Sequence, residues 1–322
     1  MLERPLVYLI DGANSEKLDM SIEREILGDT AHIEPLLISG RDEFPDQVFD
    51  ASAVILTPYP LFTAPVLNRF KKLRAVVRMG VGFDNVDIDA ARALGIPVCN
   101  VPDYGTEEVA DQALTLSLAL VRKLQPALNT VRGGVWSWRP AAPVRRIRGQ
   151  RFGIVGCGRI GTAAALRAKA FGFAVQFYDP YLARGYEKAI GAERCETLEA
   201  LLSTSDVVSL HCPLSDETRG IIGAEQMQRM KPGAFLVNTA RGPLITELDL
   251  LAVLRTGHLG GVALDVIENE PVHSPELLTF PNVLVTPHIS FYSEESLIDL
   301  RASAARIALR SLRVESLVNI VN

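Results

Sequence analysis

Along this chain, short apolar runs bounded by Gly, Pro, Asn or Asp alternate with longer stretches whose apolar residues recur at helical spacing. A strand covered on both faces reads as a continuous apolar run, so the alternation predicts parallel sheets joined by crossover helices. Over the first third, strands are expected at residues 6–10, 33–38, 53–57, 75–79 and 97–100, with helices over 61–70 and 88–94. A longer helix is expected from about residue 106 to 124. Behind it, Gly133, Gly134, Trp136, Trp138, Pro140 and Pro143 interrupt the pattern, which marks an excursion between units. The tryptophans keep two readings open, a subunit contact or local packing. From residue 151 a second alternation places strands at 152–155, 174–178, 206–211, 234–238, 261–265 and 283–286, which suits a dinucleotide-binding sheet. A last helix over 293–312 has no further strand to feed and is expected to cross back to the first unit.

Composition narrows the class without changing this picture. The 322 residues suffice for two domains of ~150 residues each. With 48% hydrophobic and 22% charged residues, disorder, collagen and coiled coil fit poorly. A net charge of -5 argues against a nucleic-acid partner. The cluster Arg139, Arg145, Arg146, Arg148 and Arg151 lies among Pro and Gly and reads as a solvated linker or subunit contact. Cys99, Cys157, Cys195 and Cys212 are far apart with no Cys-x-x-Cys spacing, so a reduced, cytoplasmic protein without disulfides or a metal site is expected. No apolar run approaches the ~18 residues of a membrane-spanning helix, and no membrane partner is expected. The N-terminus reads as a first strand, without the cleavage site of a signal peptide.

The strongest local motif is Gly156-Cys157-Gly158-Arg159-Ile160-Gly161, directly after the strand at 152–155 and directly before a helical run. In that context Gly156 allows the tight turn, Gly158 the approach of backbone to a pyrophosphate, and Gly161 the packing of helix on strand. The next strand ends at Asp179, 18 residues after Gly161, where a carboxylate accepts both ribose hydroxyls of the adenosine half. Such a carboxylate repels a 2′-phosphate and is followed by Pro180, which favours NAD, although Arg184 nearby keeps NADP in play.

In open parallel sheets ligands bind beyond the carboxyl ends of the strands. Three such ends carry Asn238-Thr239-Ala240-Arg241, Asp265 with Glu270 shortly after, and Thr286-Pro287-His288. A permanent cation, a carboxylate and an imidazole suit reduction of a 2-keto acid. Arg241 is suited to grip the substrate carboxylate, His288 to protonate the carbonyl oxygen, and Glu270 to favour the imidazolium. Each alone has a bland reading: a surface charge, a loop acid, a strand-end histidine. Their joint placement is what points to chemistry. Among the other histidines, His32 and His258 read as surface or helix-end residues. His273 is a loop residue near Glu270, and His211 is expected to line the adenine side. In the first unit, Gly80-Val81-Gly82-Phe83-Asp84-Asn85 follows a strand and reads either as a plain turn or as a nest of N–H groups for an anion.

Taken in order, Arg78-Met79-Gly80-Val81-Gly82-Phe83-Asp84-Asn85, the Gly156–Gly161 fingerprint, Asn238-Thr239-Ala240-Arg241-Gly242, Ala263-Leu264-Asp265-Val266 with Glu270-Pro271, and Thr286-Pro287-His288 resemble the D-2-hydroxyacid dehydrogenase family. The stretch from 166–173 through 177–182 and the run Tyr292-Ser293-Glu294 look most like its C-terminal-binding-protein branch, which holds corepressors as well as dehydrogenases. Phe291 departs from that branch, which typically has Trp there.

The resemblance implies two doubly wound α/β domains. A Rossmann NAD domain at 104–295 would be inserted into a flavodoxin-like substrate domain made of 1–103 and 296–322. It also implies a homodimer joined through the NAD domains. By the same resemblance Arg241, Glu270 and His288 are catalytic, Val81 and Gly82 hold the keto-acid carboxylate, and Asp265 holds the nicotinamide amide. Arg159, Ile160, Cys212, Pro213, Thr218, Thr239, Ala240 and His288 carry over as further cofactor contacts. The expected activity is hydride transfer between NAD(H) and a small D-2-hydroxy acid or 2-keto acid, and the competing reading is an NAD-sensing scaffold with little turnover. Within the enzyme class, hydroxypyruvate or glyoxylate reduction competes with phosphoglycerate oxidation, for which no dedicated basic group stands out.

Overall fold

The computed structural model describes residues 4–13, 19–271 and 275–322. They fall into two compact units, one running to Gly105 and completed by Ser293–Asn322, the other formed by Thr106–Tyr292. In chain order the first unit holds β1 (Leu6–Gly12), α1 (Ser21–Leu27), β2 (His32–Ile38), β3 (Ala53–Leu56), α2 (Ala64–Leu67), β4 (Val76–Arg78), α3 (Ile88–Ala93) and β5 (Val98–Asn100). The second opens with α4 (Thr106–Val121) and α5 (Leu124–Arg132), then β6 (Arg151–Val155), α6 (Arg159–Ala170), β7 (Ala174–Tyr178), α7 (Tyr186–Ile190) and β8 (Glu193–Arg194). It continues with α8 (Leu198–Thr204), β9 (Val207–Leu210), α9 (Ala224–Arg229), β10 (Phe235–Asn238), α10 (Glu247–Thr256), β11 (Gly261–Leu264) and β12 (Val283–Val285). The last helix, α11 (Glu294–Leu312), belongs to the first unit.

Both sheets are parallel throughout. In the first unit the order is β2-β1-β3-β4-β5, the flavodoxin-like arrangement. The second has the order β12-β11-β10-β9-β6-β7-β8, in which the chain starts at β6 and reverses direction between β6 and β9. That reversal opens the crevice used for dinucleotides in doubly wound folds. Alternate residues of β1 feed opposite cores, Val7 and Leu9 packing with α1 and α11, Tyr8 and Ile10 with Phe62 and Leu67. Two-sided burial of this kind is why these strands read as unbroken apolar runs. Among the described residues no helix is long and apolar enough to cross a membrane.

Three expectations need correction. The helix expected over 61–70 shrinks to α2, because Phe62 is extended and fully buried and bridges Val86, and Pro65 fits only the first turn. The helix expected to reach residue 124 stops at Val121, since Lys123 turns left-handed (φ 53°) and the chain restarts as α5. Among the described residues the second sheet has seven strands rather than six, the extra one being β8, two polar edge residues with no apolar signature.

α11 is tied to α1 by one buried ion pair. Arg301 forks onto Glu23 at 2.8 and 2.7 Å and also reaches the carbonyl of Asp19, while the Glu23 side chain is wholly buried. Removing the cation strands a buried carboxylate, so Arg301→Ala is expected to cost about 3–5 kcal/mol of stability in denaturant unfolding. Replacing both partners with apolar residues of matching volume is expected to cost far less.

Candidate functional site

The fingerprint expected from sequence lies at the β6–α6 turn. Gly156 has φ 86°, and a Cβ there would stand 2.6 Å from the Cys212 backbone nitrogen. A Cβ on Gly161 would come within 2.1 Å of the Gly156 carbonyl, so the helix can lie this close to the strand only without a side chain. At Gly158 nothing occupies the space that a side chain would fill. The N-cap residue of α6 is Gly158, which brings no side-chain cap to the first turn, where Arg159 and Ile160 lie, and the positive dipole end of the helix favours an anion there. Asp179 follows β7, and its carboxylate accepts N–H bonds from Cys157 (2.9 Å) and Tyr181 (3.0 Å), which ties it to the glycine turn.

The loops on either side are braced. Arg194 of β8 donates to the carbonyls of Asp179 and Ala183 and to Glu187, fixing the segment after β7. Arg184, which kept NADP in play, is engaged by both oxygens of Glu196 at 3.1 and 3.0 Å. Beyond β9, Cys212 packs its backbone against Gly156, and the Thr218 hydroxyl is spent on its own loop, donating to Pro213 and accepting from Ser215. The Tyr181 hydroxyl donates to Glu217, joining the β7 and β9 loops. Thr239 has a buried hydroxyl with no partner among the described residues. An open cradle at a helix N-terminus, a ribose-type carboxylate and an orphaned hydroxyl together fit a dinucleotide.

The catalytic candidates occupy adjacent strand ends of the same sheet. Arg241 closes the turn after β10, its guanidinium donating to the Ala240 carbonyl at 2.8 Å. His288 follows β12 with φ 55°, and its Nδ1 lies 2.9 Å from Glu270 Oε2. A carboxylate only accepts, so Nδ1 carries the hydrogen and Nε2 is the nitrogen left for proton exchange. Phe291 stands edge-on to the His288 ring with centroids 6.4 Å apart. Asp265, expected at the nicotinamide, is 2% exposed and already accepts from Thr286 Oγ1 and the N–H groups of Ile289 and Ser290. Sequence reasoning had no signal for this work, nor for Asn238, whose amide bonds Ala240 and Arg241.

Within the first unit, the Gly80–Asn85 turn follows β4. Arg78 lies beneath it, donating to the Met79 carbonyl and to Asn85, and Asn85 in turn bonds the carbonyls of Thr57 and Pro60. The Val81 carbonyl accepts from Asn100 at 2.7 Å, while the N–H groups of Val81 and Gly82 bond no group among the described residues. His273 lies outside the described residues.

A protein-family model for the NAD-binding domain of D-isomer specific 2-hydroxyacid dehydrogenases matches residues 114–290, more than half of the chain. C-terminal-binding protein 1 of Caenorhabditis elegans is 40% identical over 313 residues, covering 94% of this chain and 42% of the relative. D-3-phosphoglycerate dehydrogenase of Methanocaldococcus jannaschii is 35% identical over 298 residues, covering 92% of this chain and 57% of the relative. The chain thus spans about half the length of these curated relatives. A crystal structure of D-lactate dehydrogenase from Aquifex aeolicus, complexed with NAD and lactic acid, superposes with a TM-score of 0.87 at 27% identity, over 96% of each chain.

His211 directly follows β9, with Nε2 on Ser209 at 2.9 Å. Part of the residue meets solvent, but Nδ1 is shut in without a partner among the described residues, and burial pushes the imidazole pKa down from 6.5 to about 4. Between those values the unfolded chain binds the extra proton, so stability is full above about pH 6.5 and declines as pH falls towards 4. Thermal melts of His211→Gln are expected to show a flatter acid limb, the wild type losing about 2 kcal/mol more by about pH 5.

Proposed function

Membership of the D-isomer specific 2-hydroxyacid dehydrogenase family is established by that match and those relatives, and from it we propose that this chain transfers hydride between NAD(H) and a small D-2-hydroxy acid or its 2-keto acid. The observation that carries the proposal is the His288–Glu270 pair, formed by the loops after β12 and β11, the two strands that lie beyond β10 and its Arg241 turn in the sheet. An NAD-sensing scaffold has no use for an imidazole held at Nδ1 with Nε2 left to exchange a proton.

In the reductive direction the Arg241 guanidinium binds the acid carboxylate, and in the first unit the Val81 and Gly82 N–H groups are the ones offered to an anion. Arg241 remains charged at every working pH and polarises the neighbouring carbonyl. NADH, when bound, supplies the hydride to C2. His288 delivers the Nε2 proton to the carbonyl oxygen, and Glu270 keeps the ring in the tautomer that allows it. Gly156, Gly158 and Gly161 with Arg159 and Ile160 hold the pyrophosphate, and Asp179 the adenosine ribose. Cys212, Pro213 and Thr218 line the adenosine side. Thr239, Ala240 and Asp265 complete the nicotinamide end. The Asp179 carboxylate and the engagement of Arg184 by Glu196 both favour NAD over NADP.

The same reading makes the protein a cytoplasmic homodimer without a nucleic-acid partner. Burial raises the Cys99, Cys157 and Cys212 thiols to about 11, as suits core thiols that stay reduced. α5 buries none of its residues and exposes Leu124, Leu128 and Val131 along one side, followed by Trp136 at 91% and Trp138 at 74% exposure. An apolar stripe of this size suits a second copy of the chain. Light scattering is expected to give a dimer, and Trp136→Asp a monomer; a monomeric wild type would sink this part of the proposal.

The direct test is NADH oxidation against glyoxylate, hydroxypyruvate, pyruvate, phenylpyruvate, a methylthio keto acid and phosphohydroxypyruvate. Turnover on at least one acid is expected, with His288→Ala lowering kcat by about 10²–10⁴. Arg241→Lys is expected to raise KM sharply, because an ammonium lacks the planar fork. Tight NADH binding with no turnover on any acid would replace this reading with the scaffold.

A further inference from the structure

His288 lies in a left-handed conformation that a residue with a side chain adopts at a cost of about 1 kcal/mol or more. Such a conformation persists only where its surroundings over-determine it. Here the surroundings are largely one residue. The backbone carbonyl of Asp265 accepts the His288 N–H at 2.8 Å. Its carboxylate accepts from Thr286 Oγ1 at 2.5 Å, from the Ile289 N–H at 3.0 Å and from the Ser290 N–H at 2.8 Å. Residues before and after His288 are therefore drawn onto a single buried charge, whose burial is offset by those three donors. An amide could not substitute, since its NH₂ would face a donor.

One strand away, Asn238 does the same for Arg241. Its side chain is fully buried, Oδ1 accepting from Ala240 at 3.0 Å and Nδ2 donating to the Arg241 carbonyl at 2.8 Å. The orientation of the amide is set by those partners, one a donor and the other an acceptor. The Asn238 backbone carbonyl also accepts the Asp265 N–H at 2.9 Å. A continuous hydrogen-bonded path thus runs from the Arg241 main chain through Asn238 and Asp265 to the His288 main chain.

We infer that Asn238 and Asp265 form one positioning unit that fixes the spacing of the carboxylate-gripping Arg241 and the proton-donating His288, with Asp265 acting by clasping residues 286–290. The inference rests on the dehydrogenase reading for the roles of Arg241 and His288, and on geometry for the rest. It gives Asp265 work that is independent of any contact with the nicotinamide.

Thr286 separates the two roles, because it touches the Asp265 carboxylate from the loop side. Thr286→Val keeps the shape and removes one donor, and Thr286→Ser restores it; Thr286→Ala serves if valine strains the loop. Valine is expected to lower kcat about tenfold or more, the loss of one hydrogen bond to a charged group, while the NADH Kd stays within about twofold. Serine is expected to recover kcat to within about threefold. Asn238→Ala is expected to raise the keto-acid KM about tenfold with a smaller change in kcat, since it loosens the carboxylate grip. The ¹⁵N resonance of His288 Nδ1 in histidine-labelled protein, assigned against His288→Gln, reports the bond to Glu270 without turnover. It is expected to change in the valine variant and return in the serine one.

A valine variant with wild-type kcat and an unaltered Nδ1 resonance would overturn the inference, as would a rise in NADH Kd matching the loss of kcat. If the wild type turns over no acid, the dehydrogenase reading fails, and the Nδ1 resonance alone decides whether the clasp exists.

Discussion

A parallel sheet makes its chain leave at the same carboxyl end after every strand, and return from the other end. In the second unit this brings the glycine turn, Asp179, the Arg241 turn, Asp265 and the His288 loop to one end of the sheet, although they are scattered from residue 156 to 288. Reversal of the strand order at β6 then parts the loops on either side and leaves the glycine turn at the opening. The chemistry depends on this geometry more than on any single contact. Loops of such different length would otherwise have no reason to converge.

The same constraint explains what could be read from the chain. Strands buried on both faces leave apolar runs, and those of β1, β7 and β10 fall within a residue or two of where their sequence places them. The fingerprint glycines are legible because each removes a clash that only backbone geometry creates. Arg241, Glu270 and His288 stand out as reactive side chains at strand ends. What pattern does not carry is work done through main-chain hydrogen bonds. Asn238 and Asp265 have the burial of core residues, and their partners are N–H groups and carbonyls that any sequence would supply. The two-residue strand β8 is equally silent, yet its Arg194 braces the loop that holds Asp179. The left-handed turn at Lys123 has no local signal either, its ammonium reaching across to the Gly260 carbonyl.

Electrostatics divides the ionisable groups by purpose. Arg301 with Glu23 is a buried pair whose partners need each other, and it serves the fold. Arg194 with Glu187 is less buried and serves a loop. His288 with Glu270 is left partly open to solvent, with side chains 37% and 42% exposed, as suits the proton exchange proposed for it. Burial alone cannot identify such a site. Accessibility of one nitrogen with restraint of the other is the more telling combination.

The first unit is built from both ends of the chain, and its core records that history. Val7, Leu9, Ile55 and Val77 pack against Leu300, Ala304, Ile307 and Ala308 of α11. During synthesis the five strands of this unit leave the ribosome long before the helix that covers one of their faces. At ~5–20 residues per second the whole second unit is made in the interval, and it has its own complete core by then. For those tens of seconds the early sheet presents a bare apolar face, which makes the nascent chain, rather than the finished protein, the form most in need of a chaperone.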